Sequence, residues 1–263
     1  LKMSIFKYCL RKLALMFNFV TPFAKARTLL IIGLTTFLIS FWIHGCSNIS
    51  QKLQPLRIGI SSWPGFDIVL YAQEAGIFKK RGLEVELLRF ESQQDSMRAM
   101  MRGSLDAVFS SLWDTMQVDS REGNPAFIMV TNVSNGSDGI VATPEIKSVS
   151  DLVGKTVGVK LGSVEHLIFL EALELHNIDP KTVTIDNVLQ QVGVQKIKQG
   201  QLDASVTWEP SLSEVAKEID GNIIFTTQEV DSLVIDGLIA PQNNIATQKK
   251  ALTQLILSWF DLM

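Results

Sequence analysis

Five residues occur twice in the same pattern, and their setting decides what this chain can fold into. Gly103-Ser104-Leu105-Asp106-Ala107 leads into one β-type run, and Gly200-Gln201-Leu202-Asp203-Ala204 leads into another. Upstream of each copy lies a strand-like segment containing a glycine, Leu56–Ile60 around Gly59 and Thr156–Val159 around Gly158. The distance from Gly59 to Gly103 is 44 residues, and from Gly158 to Gly200 it is 42. Matching segments at matching spacing mark a duplicated architecture. Two units are too few for a solenoid, so the expectation is two similar lobes, each opening on a strand.

Strand and helix patterns alternate along the rest of the chain. Leu83–Phe90 places Leu83, Val85 and Leu87 on one face and Glu84 and Glu86 on the other. Ser92–Arg102 reads as a helix with a stripe of Met97, Met100 and Met101. Leu112–Ser120 reads as a helix, Ala126–Val133 as an apolar strand, and Ile140–Ala142 as a short one. In the second lobe the helices are Val164–His176, Gln190–Gln199 and Leu212–Ile219. Leu233–Ala240 reads as a strand interrupted at Asp236 and Gly237, and Thr247 as the cap of a last helix. This alternation predicts an α/β fold with mainly parallel sheets.

The first 45 residues are a segment apart. They hold six bases and no acid, and Lys25 and Arg27 precede an uncharged run, Thr28–Ile43. Sixteen residues are short for a membrane-spanning helix, which needs about 20, and the basic-then-apolar order is that of an export signal. Ile43-His44-Gly45-Cys46 resembles a bacterial lipoprotein signal, although His44 departs from its usual small residue. Residues 1–45 are therefore expected to be a cleaved signal, Cys46 the lipid-attachment site, and 46–55 a tether; the competing reading is an uncleaved signal anchor. From Cys46 onward 18 bases face 27 acids, which excludes the basic footprint of a nucleic-acid binder. No cysteine follows Cys46, so no disulfide, thiol catalyst or zinc–cysteine site is available in the folded part.

Several short motifs stand in one order: Trp63-Pro64-Gly65-Phe66, Gly76-Ile77-Phe78, the first Gly-x-Leu-Asp-Ala, Ser134-Asn135-Gly136, Asp151-Leu152-x-Gly154-Lys155, and Thr207-Trp208-Glu209-Pro210. From Leu56 to Met263 the chain resembles the substrate-binding proteins of ABC importers. The nearest group is the nitrate/sulfonate/taurine and thiamine-pyrimidine-precursor type. The resemblance implies a two-lobed type II periplasmic-binding-protein fold with two crossover hinges, near Gly136–Val141 and Asp231–Gly237. It implies lobe 1 at 56–138, lobe 2 at 139–234, and a return to lobe 1 at 235–263. Because such proteins continue past this chain's last helix, a truncated product is expected. The implied partners are a small-molecule ligand and membrane permease subunits, with a lipid anchor, a monomeric state, and a place in the periplasm or at the cell surface. No cofactor is implied.

Ligands of open α/β sheets lie at the carboxyl ends of strands. That rule selects Ser61, Ser62 and Trp63 after the first strand, Ser111 and Asp114, Asn135 and Asp138 at the first crossing, Gly162 and Ser163, Trp208 and Glu209, and Asp236. Trp63 reads equally as a stacking ring or as packing under the Pro64-Gly65 loop. Gly162-Ser163 reads as an anion site at a helix start or as a plain N-cap. Glu165 suits the helix dipole, and His166 reads as packing or surface. Asp106 and Asp203 read as turn residues. Asp114, Asp138, Glu209 and Asp236 are acids and Lys160 the only nearby base, so an amine or cationic ring is expected over a bare sulfonate or nitrate. Two other readings compete with the importer receptor. One is a ligand-sensing input domain. The other is an enzyme of the thiamine-pyrimidine-synthesis kind, which the missing cysteine motif opposes.

Overall fold

The computed structural model describes residues 55–118 and 124–263. The expected signal, Cys46 and the tether up to residue 54 lie outside the described residues. The chain lays down β1 (Leu56–Ile60), α1 (Asp67–Glu74), α2 (Ile77–Lys80), β2 (Val85–Arg89), α3 (Gln93–Met101), β3 (Ala107–Ser111), α4 (Leu112–Met116) and β4 (Pro125–Val133). It crosses to β5 (Asp138–Ala142), β6 (Thr156–Val159), α5 (Val164–Leu175), β7 (Thr184–Asn187), α6 (Gln190–Lys198), β8 (Ala204–Trp208), α7 (Ser211–Glu218) and β9 (Asn222–Thr226). It then returns through β10 (Ile235–Pro241) and α8 (Gln242–Phe260).

These strands form two five-stranded sheets, ordered β2-β1-β3-β10-β4 and β7-β6-β8-β5-β9. The orders coincide when β1, β2, β3, β10 and β4 are matched to β6, β7, β8, β5 and β9. Parallel pairing joins β1 to β2 and β3, and β6 to β7 and β8. The strand that arrives after a crossing runs against both neighbours: β10 against β3 and β4, and β5 against β8 and β9. Each sheet is therefore mixed rather than mainly parallel, because its fourth strand enters from the other lobe.

The repeated pentapeptide has a physical meaning in this frame. A Cβ placed on Gly59 would lie 2.7 Å from Leu105 Cδ1, and one on Gly158 would lie 2.7 Å from Leu202 Cδ1. In each lobe the motif's leucine fills the space that the strand's glycine leaves open. Gly103 and Gly200 take positive φ of 77° and 70° at the turn, where glycine carries no steric cost. The aspartates do more than shape the turn. Asp106 Oδ2 accepts the Arg57 N–H at 2.8 Å, and Asp203 Oδ2 accepts the Thr156 N–H at 2.8 Å. Each ties the turn to the first strand of its own sheet. Asp106 additionally pairs with the Arg57 guanidinium at 3.0 Å. Burial pushes its carboxyl upward, but the bonds from Arg57 and Gln248 outweigh burial and hold it below the usual range.

The first sheet is covered by a core that includes Ile58, Ile60, Phe66, Phe109 and Trp259, all buried. Phe109 stacks on Trp259 of α8 with centroids 5.7 Å apart. The second core centres on Ile140, Val157, Ile168, Phe169 and Phe225. The last helix begins at Gln242, ahead of the expected cap Thr247. Gln248 breaks its helical dihedrals at φ −115° and ψ 20°, and its amide donates to Asp106 Oδ1 at 3.1 Å. Thr247 instead donates to the Asn243 carbonyl one turn back, so the cap-like signal marks a kink inside the helix. The strands after the crossings begin at Asp138 and Ile235, so Val141 and Gly237 lie within strands rather than in connecting segments. Gly237 is compelled there: a Cβ would meet Met129 O at 2.1 Å. Among the described residues no helix is long and apolar enough to cross a membrane.

Candidate functional site

Between the two sheets runs a cleft of about 580 Å³, part of it open to solvent. The first sheet contributes Ser61, Ser62 and Trp63 after β1, the start of α3, and Asp114 in α4. The second contributes Lys160, the start of α5, the start of α6, and Trp208 at the tip of β8. Asp138 and Asp236 enter from the two strands that follow the crossings.

Direct contacts join the walls. Gln191 Nε2 donates to Ser62 Oγ at 3.1 Å, and Trp113 Nε1 donates to the Gly162 carbonyl at 3.1 Å. Gln94 Nε2 reaches the Leu161 carbonyl at 3.5 Å. The rings of Trp63 and Trp208 meet edge to face, with centroids 6.2 Å apart at 88°, a favoured aromatic geometry. The Trp63 ring also folds back over Gly65, where a Cβ would lie 2.4 Å from Nε1. The ring thus packs the loop, one of the two readings from the sequence, and also forms part of the cleft wall.

The cleft is acidic. Among the described residues, Glu91, Asp114, Asp138, Glu165 and Asp236 line it, and Lys160 is the only base in its lining. Asp114 is 3% exposed and Asp236 2%. Burial pushes Asp114 up to about 7, with Glu165 adding to the rise and Ser111 opposing it. Burial pushes Asp138 up to about 6, with Ser134 opposing and Glu165 adding. Asp236 stands well above its usual value through burial and the charges of Asp138 and Asp114. Glu165 is raised by burial as well. Desolvation and like charges both favour the neutral acid.

Hydrogen bonds hold part of this set. The Gly136 N–H donates to Thr227 Oγ1, Thr227 and Ser134 hydroxyls meet at 2.8 Å, and Ser134 donates to Asp138 Oδ2. This chain pins Asp138 at the crossing. Ser111 Oγ accepts the Asp114 N–H at 3.0 Å and donates to Asp114 Oδ2 at 2.7 Å. Ser163 Oγ contacts both the Lys160 carbonyl at 2.7 Å and Glu165 Oε2. One hydroxyl has one proton, so both contacts are satisfied together when the Glu165 carboxyl supplies a second. By contrast, Asp114 Oδ1 and Asp236 Oδ1 are buried with no hydrogen-bond partner among the described residues.

Eight of the twelve ligand positions expected from the sequence line this cleft: Ser61, Ser62, Trp63, Asp114, Asp138, Ser163, Trp208 and Asp236. The other four do not. Glu209 is drawn to the first turn of α7, where its carboxylate accepts from the Ser213 N–H and hydroxyl. Asn135 is exposed on the crossing. Ser111 sits beneath the surface and caps α4. Gly162 turns at φ 79° and spends its N–H on His166 Nδ1 at 3.2 Å. That N–H is thus engaged, and the Glu165 acid occupies the first turn of α5. Sequence reasoning missed the paired glutamines. Gln93 Oε1 accepts from Ser110 and Ser111, and Gln190 Nε2 donates to Thr207. The signal was present, since Gln-Gln stands at positions 93–94 and again at 190–191, opening corresponding helices.

The fold and the sequence agree with those of known proteins. A protein from Brucella abortus (strain 2308), named only as a binding protein, is 26% identical over 209 residues, covering 77% of this chain and 64% of its own. The chain thus spans under two thirds of the length of that relative. The alkanesulfonate-binding protein SsuA of Xanthomonas axonopodis pv. citri, solved with MOPS, superposes with a TM-score of 0.71 at 16% identity, over 79% of this chain and 72% of that one. The aliphatic sulphonate binding protein SsuA of Escherichia coli gives 0.69 at 16% identity, over 80% and 72%. The fold is that of the periplasmic binding proteins. The family described as NMT1/THI5 like matches residues 63–257, most of the chain, and this protein belongs to that family.

Proposed function

We propose that this protein is a non-catalytic solute receptor of an ABC importer: it captures a small nitrogen- or sulfur-containing molecule between its lobes and delivers it to a membrane permease. The observation that carries this reading is the cleft itself. Both of its walls are built from strand ends and helix starts, and its floor is formed where the chain crosses between sheets. That layout allows hinge closure around a ligand. The family match and the sulfonate-binding proteins of the same fold support it. In this reading residues 1–45 direct export and Cys46 carries a lipid that keeps the receptor at the membrane.

A thermal-shift screen of the purified full chain against amines, pyrimidines, alkanesulfonates and nitrate tests it. A ligand at 100 times its Kd stabilises the fold by roughly 2.7 kcal/mol, a readily measured rise in Tm. Absence of a shift with every class removes the receptor reading. Palmitate labelling of the wild type and of Cys46→Ser tests the anchor.

A further inference from the structure

We propose that the cleft selects an organic cation with N–H donors, of the primary ammonium, amidinium or guanidinium type, whose donors reach Asp236 and Asp114 while its body lies against Trp63 and Trp208. The inference rests on the receptor reading and names the ligand class of the same site. Three observations carry it.

First, among the described residues five acidic side chains and one lysine line the cleft. A sulfonate or nitrate would meet one cation there, Lys160, and would hold the acids in their neutral, protonated form, whereas a cation is offset by those that ionise. Second, Asp114 Oδ1 is buried without a partner among the described residues, and the buried Asp236 carboxyl has only the Trp63 indole N–H acting on it as a donor. A buried acceptor without a donor is costly, and a ligand N–H supplies one. This separates ammonium and amidinium from quaternary ammonium, which carries charge but no donor. Third, two indole rings, Trp63 and Trp208, line the same cleft as the acids. Their faces suit the body of an organic cation, since cations are attracted to aromatic faces.

Charge balance then couples capture to protons. Asp114, Asp138, Glu165 and Asp236 share the cleft with Glu91 and Lys160, and Arg98 acts on Asp114 from α3. A cation entering this set favours the ionised carboxylates, so protons leave as it binds, and affinity rises with pH through the range where the acids titrate.

The test uses four probes built on one benzene ring: benzamidinium, neutral benzamide, trimethylphenylammonium and benzenesulfonate. Binding to the full chain is measured by calorimetry at pH 7.5 in two buffers of different ionisation enthalpy. The expected result is benzamidinium bound at least about tenfold tighter than each of the others, a gap of about 1.4 kcal/mol, with protons released to the buffer. Asp236→Asn and Asp114→Asn, which keep shape and relieve burial of charge, each reduce that preference by about tenfold. Tighter binding of benzenesulfonate overturns the cation class and leaves the receptor reading standing. Equal binding of trimethylphenylammonium and benzamidinium overturns the role of the N–H donors. If none of the four binds at millimolar concentration while a pyrimidine or alkanesulfonate shifts Tm, the proposal fails and the receptor reading survives. If nothing binds at all, both fail.

Discussion

Asp114 offers a quantitative check on the acidic cleft, because its environment fixes both the sign and the size of a pH effect. Its pKa moves from the ordinary 3.8 to about 7 in the folded chain. The folded state therefore holds a proton that the unfolded state has released over the intervening range, and stability falls as pH rises through it. Each pH unit of displacement corresponds to about 1.4 kcal/mol, so the roughly three units here amount to about 4 kcal/mol. Part of that belongs jointly to Asp114 and Glu165, which couple through the Coulomb interaction, so about 4 kcal/mol is a ceiling for the single site. Asp114→Asn keeps the Ser111 contact and cannot ionise. Urea unfolding of the ligand-free protein at pH 4.5 and 7.5 gives the test. The wild type is expected to lose several kcal/mol more than the variant between the two conditions. Equal losses in both proteins would mean that Asp114 is solvated in solution, and the argument from burial would be refuted.

Three further outcomes follow from the same geometry. Gly158→Ala drives a methyl group into Leu202 and is expected to cost about 1–3 kcal/mol of stability, typical of overpacking, read from the urea midpoint; adding Leu202→Ala should recover part of the loss. Trp208→Ala removes one ring of the interlobe pair and should weaken ligand capture by about tenfold or more with an unchanged far-UV circular dichroism spectrum; undiminished affinity would make Trp208 mere packing. Gln191→Ala deletes the bridge to Ser62 and should speed ligand release a few-fold, in line with one neutral hydrogen bond of about 1 kcal/mol, while association stays within twofold of wild type; an unchanged dissociation rate in stopped flow would count against the bridge.

The scaffold was legible because it rests on local rules written twice. The glycine strand, the Gly-x-Leu-Asp-Ala turn and the alternation of periods announced two matching lobes before any contact was known. The cleft was legible only where a residue stood at a strand tip. Glu209 misled for a local reason: the serine four residues on draws its carboxylate to α7. Glu165 was assigned to the helix dipole, and nothing in its neighbours announces its burial or its interaction with Asp114. The mixed sheets were illegible for a similar reason. The direction of β5 and β10 depends on which lobe the chain arrives from, and hydrophobic period carries no direction. One repeat went unread. Asp138-Gly139 and Asp236-Gly237 stand at the same place in β5 and β10, where a Cβ on either glycine would collide with a neighbouring carbonyl at 2.4 or 2.1 Å. That dipeptide was the sign that two acids meet where the lobes join.

The hydrogen bonds that join the lobes among the described residues have a kinetic consequence. Gln191 to Ser62, Trp113 to Gly162 and Gln94 to Leu161 all join uncharged groups. Ionic strength screens exposed charges within about 10 Å at 0.1 M but leaves such bonds nearly untouched. In the proposed receptor, then, the arrival of a charged ligand would respond to salt, while the parting of the closed lobes would not. Stopped-flow traces from 0.05 to 0.5 M sodium chloride should show association slowing and dissociation constant; a dissociation rate that rises in step with salt would mean that ionic contacts, not these neutral ones, hold the lobes together.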